Sequence, residues 1–233
     1  MATTKANLRL ETARRLGLVT AVETTSAGDA NGNTFVAETL LDKFPTSLDE
    51  LWIYNPGTSE ARRVISYDEP EGIAQVNRAF SGQVGSSTTL YVFRRFAPDA
   101  YDDALRSAIT DVYPYLAQRI VDTSLTTVSE QYEYTIPASI VSMERMDGAS
   151  VEMEVNTNDA DYPYVELRHW DTREALTTGR TYTLLISPME HVSDRTLRLT
   201  GLGYLTYPDT DADTVPLDGV QATLLVYKVI ANL

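Results

Sequence analysis

Residues 98–121, PDAYDDALRSAITDVYPYLAQRIV, decide how the rest of the chain is understood. Tyr101, Leu105, Ala108, Ile109, Val112, Leu116 and Ile120 recur at spacings of three and four, the period that gathers apolar side chains on one face of a helix. Asp99 stands where a carboxylate can cap the first turn, and Asp102 and Asp103 complement the positive end of the helix dipole. Pro114 lacks an N–H and crowds the turn before it, so a kink or break is expected there. The spacing predicts that Leu105, Ile109, Val112 and Leu116 are buried. It leaves Asp102, Asp103 and Arg106 facing solvent or another subunit.

On the N-terminal side of this helix, six short runs have strand character: residues 19–24, 34–40, 51–54, 62–67, 73–77 and 88–96. The breaks between them hold turn formers, among them Gly28-Asp29-Ala30-Asn31-Gly32, Asn55-Pro56-Gly57 and Glu69-Pro70-Glu71-Gly72. Short strands so spaced predict a small antiparallel barrel or sandwich. On the C-terminal side, strands are expected at residues 131–136, 140–146, 151–155, 165–169, 181–186 and 196–204, with Leu197 and Leu199 alternating onto one face.

Both ends of the chain are expected to be helical. Leu8, Leu10, Ala13, Leu16 and Leu18 give a loose stripe over residues 8–18, with Gly17 as its stop. A last helix begins near Pro216 and carries Val220, Leu224, Tyr227 and Ile230 on one face. The fold class is therefore α+β and β-rich, with small antiparallel barrel or sandwich regions, a central amphipathic helix and terminal helices. Its segments are an N-terminal helix (1–18), a first β region (19–97), the central helix (98–122), a second β region (123–207), and an acidic loop with the C-terminal helix (208–233). Short helices are marginal alone, so both terminal helices must dock on something. Leu10, Leu16, Leu224, Tyr227 and Ile230 are the candidate interface residues. The uncharged finish at Asn232-Leu233 implies that the native chain continues or that this end is packed.

Composition narrows the function classes. With no cysteine, thiol catalysis, zinc–thiolate sites and disulfides are excluded together. No run approaches the ~20 apolar residues that span a bilayer, and MATTKANLRLETARRLG lacks a signal-peptide core. The expectation is a soluble, non-exported chain with no membrane partner. The formal charge of −14, from 33 acidic and 19 basic residues, is opposite to the footprint of a protein that grips phosphates. The pairs Arg62–Arg63 and Arg94–Arg95 fall in expected strands, where neighbours point to opposite faces, so neither makes a patch.

No constellation points to chemistry. His169 and His191 lack the spacing of a triad or a helical zinc motif and fit structural or surface roles. Asp209, Asp211 and Asp213 occupy the first ligand positions of a calcium loop, but Thr214 replaces its glycine and Val220 its glutamate. Glu152 and Glu154 share one strand face, which is ordinary for a wet sheet surface and lacks the cleft that glycoside hydrolysis needs. With no phosphate-binding glycine loop either, no enzyme, no cofactor, no metal and no catalytic residue are expected. Tyrosines recur in pairs, at Tyr113 and Tyr115, Tyr132 and Tyr134, and Tyr162 and Tyr164, which suits half-buried β surfaces and interfaces.

Several phrases recur in a telling order: Ala13-Arg14-Arg15-Leu16-Gly17-Leu18, then Leu90-Tyr91-Val92-Phe93-Arg94-Arg95-Phe96, the helix from Tyr101 with Tyr113-Pro114-Tyr115-Leu116 at its end, Gln131-Tyr132-Glu133-Tyr134-Thr135-Ile136-Pro137, Gly203-Tyr204-Leu205, and Val215-Pro216-Leu217 before the final helix. This layout resembles the head–tail adaptor, or connector, family of tailed-bacteriophage neck proteins. The resemblance implies a structural virion protein, made in the host cytoplasm, that forms a homo-oligomeric ring of about twelve subunits by head-to-tail contacts. Its partners would be the portal protein and the tail or further neck proteins, with DNA passing through non-specifically. The family brings no catalytic residues. The large first β region departs from compact helical adaptors, which keeps a tail-junction or terminator protein as an alternative. A receptor- or carbohydrate-binding β module of the tail is the alternative from another class. An acidic surplus suits a passage in which DNA is not held.

Overall fold

The computed structural model describes residues 3–43, 51–155, 163–175 and 181–233. They form two compact units, Met1–Val112 with Tyr207–Leu233, and Tyr113–Thr206. The chain leaves the first unit after its central helix and re-enters it for its last helix.

The first unit holds a six-stranded antiparallel sheet in the order β2-β7-β4-β5-β6-β3. Its strands are β2 (Val19–Glu23), β3 (Thr34–Val36), β4 (Trp52–Asn55), β5 (Glu60–Asp68), β6 (Ile73–Val76) and β7 (Thr89–Phe93). Alternation sends Val22, Phe35, Ile53, Val64, Val76, Leu90 and Val92 to one shared core. The sheet curls until the segment after β2 bridges back to β3 at Ser26 and Val36, short of a closed barrel. Gly28 permits this, because a Cβ there would overlap the Thr34 carbonyl oxygen. A short helix, α2 (Leu40–Lys43), buries Leu40 against the same core.

Three longer helices complete the unit: α1 (Lys5–Arg15), α3 (Pro98–Asp111) and α4 (Gly219–Asn232), each packed on the other two. The Thr4 hydroxyl accepts the Asn7 N–H and caps α1. A two-stranded ladder joins β1 (Thr3–Thr4) to β15 (Thr214–Val215), tying the start of the chain to the segment before α4. Asp218 accepts the N–H groups of Val220 and Gln221 while the Gln221 side chain accepts the Asp218 N–H. This capping box sets the start of α4 at Gly219 rather than near Pro216.

The central helix is shorter than its apolar spacing implied. It ends at Asp111, with Val112 as C-cap, because Pro114 can neither donate to the ladder nor let the preceding residue stay helical. Residues expected on its last turns, Ile120 and Val121, lie instead on strand β8 (Gln118–Thr126). Leu105, Ile109, Val112 and Leu116 are buried, Leu116 from the loop after the helix. Ala97, not Asp99, holds the N-cap position, and no side chain caps α3; Pro98 fills its first turn, where a missing N–H is harmless.

The second unit pairs a four-stranded sheet, β11-β10-β14-β8, with a three-stranded one, β12-β13-β9, both antiparallel. Besides β8 they contain β9 (Glu133–Thr135), β10 (Ser150–Glu154), β11 (Tyr164–Glu166), β12 (Trp170–Ala175), β13 (Thr181–Ile186) and β14 (Thr196–Gly203). Side chains from both sheets share one core, including Tyr134, Val151, Met153, Trp170, Leu184, Leu197 and Leu199. Residues 140–146 are not the expected strand. Apart from a bridge at Ser142 they run irregularly into a 3-10 turn, Arg145–Asp147, and the irregular stretch before that turn gives Ile140 and Met143 to the core. Gly201 and Gly203 on β14 admit that close approach, since a Cβ on Gly201 would press on Ile140 and the Ser142 carbonyl oxygen. The strand expected over 165–169 is confined to Tyr164–Glu166, and β12 follows where none was expected. Tyr162 lies outside the described residues.

Candidate functional site

Two features of the first unit stand apart from ordinary packing. The earlier in the chain is an ionic clasp. Lys5 and Arg9 stand one turn apart on the inward face of α1, only 8% and 5% exposed. Arg9 binds the Asp102 carboxylate of α3 through two hydrogen bonds of 2.8 Å each and reaches Asp211 at 2.6 Å. The Tyr54 hydroxyl donates to the same Asp211 carboxylate, and the Arg9 guanidinium lies 5.0 Å from the Tyr54 ring centre. Lys5 pairs with Asp102 at 3.1 Å and donates to the Asp209 carbonyl oxygen at 3.3 Å. Tyr207 receives Lys5 and Arg106 over its ring, at 5.1 and 4.2 Å.

Two cations and two carboxylates thus neutralise each other, as charge with little access to water must. Burial works against the charged form of Arg9, yet its hydrogen bonds to Asp102 and Asp211 raise its pKa overall. Burial likewise pushes the Asp211 carboxyl up, and the Tyr54 and Arg9 hydrogen bonds outweigh it, holding the pKa below the usual range. The acidic tract is therefore not a loop of purely solvated carboxylates. Asp102, expected to face solvent or a partner, is held inside the unit. A cavity of about 360 Å³ opens beside the clasp, and the cations at its wall are already paired. Nearby, the Tyr101 hydroxyl is buried with no hydrogen-bond partner among the described residues, and burial pushes its pKa up to about 12.

The other feature is the outer face of α4. Its inner face buries Leu225, Val226 and Val229. Val220, Leu224 and Tyr227, placed on one stripe by their spacing, lie outward and are 82%, 47% and 56% exposed. The Arg15 guanidinium donates to the Tyr227 hydroxyl at 3.0 Å and lies 5.1 Å from its ring centre, linking α1 to this face. The other interface candidates differ. Ile230 is half-buried, Leu16 packs half-buried at the edge of the helix–sheet core, and Leu10 lies inside that core with no surface to offer a partner.

The acids and histidines singled out by sequence have local partners. Glu152 on β10 forms an ion pair with Arg198 on β14, and the neighbouring carboxylate of Glu154 accepts the Thr196 N–H at 3.4 Å. His169 lies in the bend before β12, not in a strand, with Nδ1 2.8 Å from Glu190, whose other oxygen accepts the His169 and Arg168 N–H groups. His191 Nε2 is 3.1 Å from the Tyr134 hydroxyl, and its ring stands edge-on to Tyr132. Among the described residues no three His, Asp or Glu side chains are placed to hold a metal, and no helix is long and apolar enough to cross a membrane. A cleft of about 540 Å³ in the second unit is lined by Tyr113, Ser142, Glu144, Asp147 and Tyr182 among others.

The clasp residues were missed because their partners lie far apart in the chain, Arg9 and Asp211 being 202 residues apart. One signal was available: Lys5 and Arg9 interrupt the apolar face of α1 at helical spacing. Comparison with protein-family models, curated proteins and solved structures finds no match.

Proposed function

We propose that this protein is a structural subunit of a tailed-phage virion, a ring-forming head–tail adaptor that joins the portal to the tail and lines the DNA passage. The observation that carries the reading is the uncovered apolar stripe of α4, Val220, Leu224 and Tyr227, on a helix whose opposite face is already docked. Large exposed apolar residues grouped on one element mark contact surfaces. The layout that resembles the adaptor family adds support, as does the formal charge of −14, which keeps passing DNA from being held by its phosphates. The work of such a subunit is contact: it would engage the portal protein, its own copies and the tail or further neck proteins, without cofactor or catalysis.

The test is the native mass of the purified full-length chain, alone and mixed with purified portal protein, by native mass spectrometry. A closed ring of about twelve copies on the portal is the expected result. Leu224→Glu should fold and fail to join it. A trimer in both samples would point to a receptor-binding tail module and overturn the adaptor reading, and so would a monomer in both.

A further inference from the structure

We propose that in the free protein two copies pair through the outer faces of their α4 helices, antiparallel and stripe to stripe. Val220, Leu224, Tyr227 and Ala231 are all exposed and stand at intervals of four, three and four. That is the 3.5-residue repeat of a narrow seam, which fits the ridge of another helix better than a sheet or an extended segment.

Charge selects the second copy as the occupant. A chain of formal charge −14 repels itself wherever carboxylates meet. The 14 residues of α4 contain no carboxylate, and their one cation, Lys228, is paired with Asp111 at 3.1 Å. Along α4 itself two copies can touch without bringing carboxylates together. The antiparallel sense sets Leu224 against Tyr227 and Val220 against Ala231, separates the two Lys228 side chains along the axis, and opposes the helix dipoles. A parallel pair would bring the two Lys228 side chains to the same level. The Arg15 contact holds the Tyr227 ring ready on the seam. The exposed stripe is on the order of 300 Å², well short of the ~800 Å² per partner of a standard interface, so the pair is weak and readily exchanged. This inference goes beyond the adaptor reading and does not rest on it.

The native chain has no cysteine, so single cysteines report the geometry directly. Full-length Val220→Cys and Ala231→Cys proteins, mixed under mild oxidation, should form the mixed disulfide about tenfold faster than either forms with itself. Adding Leu224→Glu to both should abolish that preference. Sedimentation velocity gives a second measure: the native coefficient should rise with concentration, and that of Leu224→Glu should stay constant. Equal or faster linkage of Val220→Cys with itself would overturn the antiparallel pair, as would linkage indifferent to Leu224→Glu. A concentration-independent monomer would overturn self-pairing altogether. A ring failing to form on the portal would leave these results unchanged, so the two proposals fail separately.

Discussion

The two units bury their interiors by different means. Tyr113–Thr206 is one unbroken run whose core is apolar, and its buried polar residues are two threonines, Thr127 and Thr200, among those described. The first unit is assembled from two separated stretches, and it buries Lys5 and Arg9 where they meet. Apolar burial is strong but has no direction, whereas a two-pronged guanidinium–carboxylate pair fixes distance, angle and partner. A continuous unit finds its register through turns and strand pairing. A discontinuous one must also recognise the segment that returns to it, and Arg9, spanning Asp102 of α3 and Asp211 of the returning loop, is placed to do that.

The contrast is open to attack because each unit has its own tryptophan, Trp52 on β4 and Trp170 on β12. A Trp170→Phe chain reports the first unit and a Trp52→Phe chain the second. The largest effect is expected from Arg9→Ala, which leaves Asp211 half-buried without its cation. The cost should be about 3–5 kcal/mol in urea unfolding followed at Trp52, with the Trp170 transition unmoved. If both transitions shift together, the units do not fold separately. Leu199→Ala should do the reverse, costing about 2–5 kcal/mol at Trp170 through the cavity it opens, and leaving Trp52 in place.

The smallest effect is a difference in acid sensitivity. The folded pKa of Asp211 lies below that of the unfolded chain, so acid protonates the unfolded state first. Its contribution is complete above about pH 4 and disappears as pH falls through the folded pKa. Asp29, Glu60, Asp111 and Asp213 in the first unit are shifted in the same direction, as is Glu190 in the second. Between about pH 5 and 3 the Trp52 transition should therefore weaken more than the Trp170 transition. Asp211→Asn should narrow that gap. An unchanged gap would show that the clasp carries no proton linkage.

By itself the sequence determined what depends on neighbours a few residues away. The period of 98–112 set the buried face of α3, Pro114 set its end, strand-like runs placed β2, β6 and β13, and alternation marked the start of β14. Those signals are local because backbone dihedrals and side-chain direction are local. Tertiary structure decided what depends on remote partners. Ile120 and Val121 suit a helix or a strand, and pairing with Gly201 and Thr200 made them a strand. Residues 140–146 alternate plausibly, yet they were drawn out of strand form by a close approach that only Gly201 and Gly203 allow. The stripe on α4 was legible but its sense was not, because a helix apolar on two faces does not say which one the rest of the chain will cover. Arg9 and Asp211 form a site only because the fold returns the chain to its beginning, and no spacing in a sequence records that meeting.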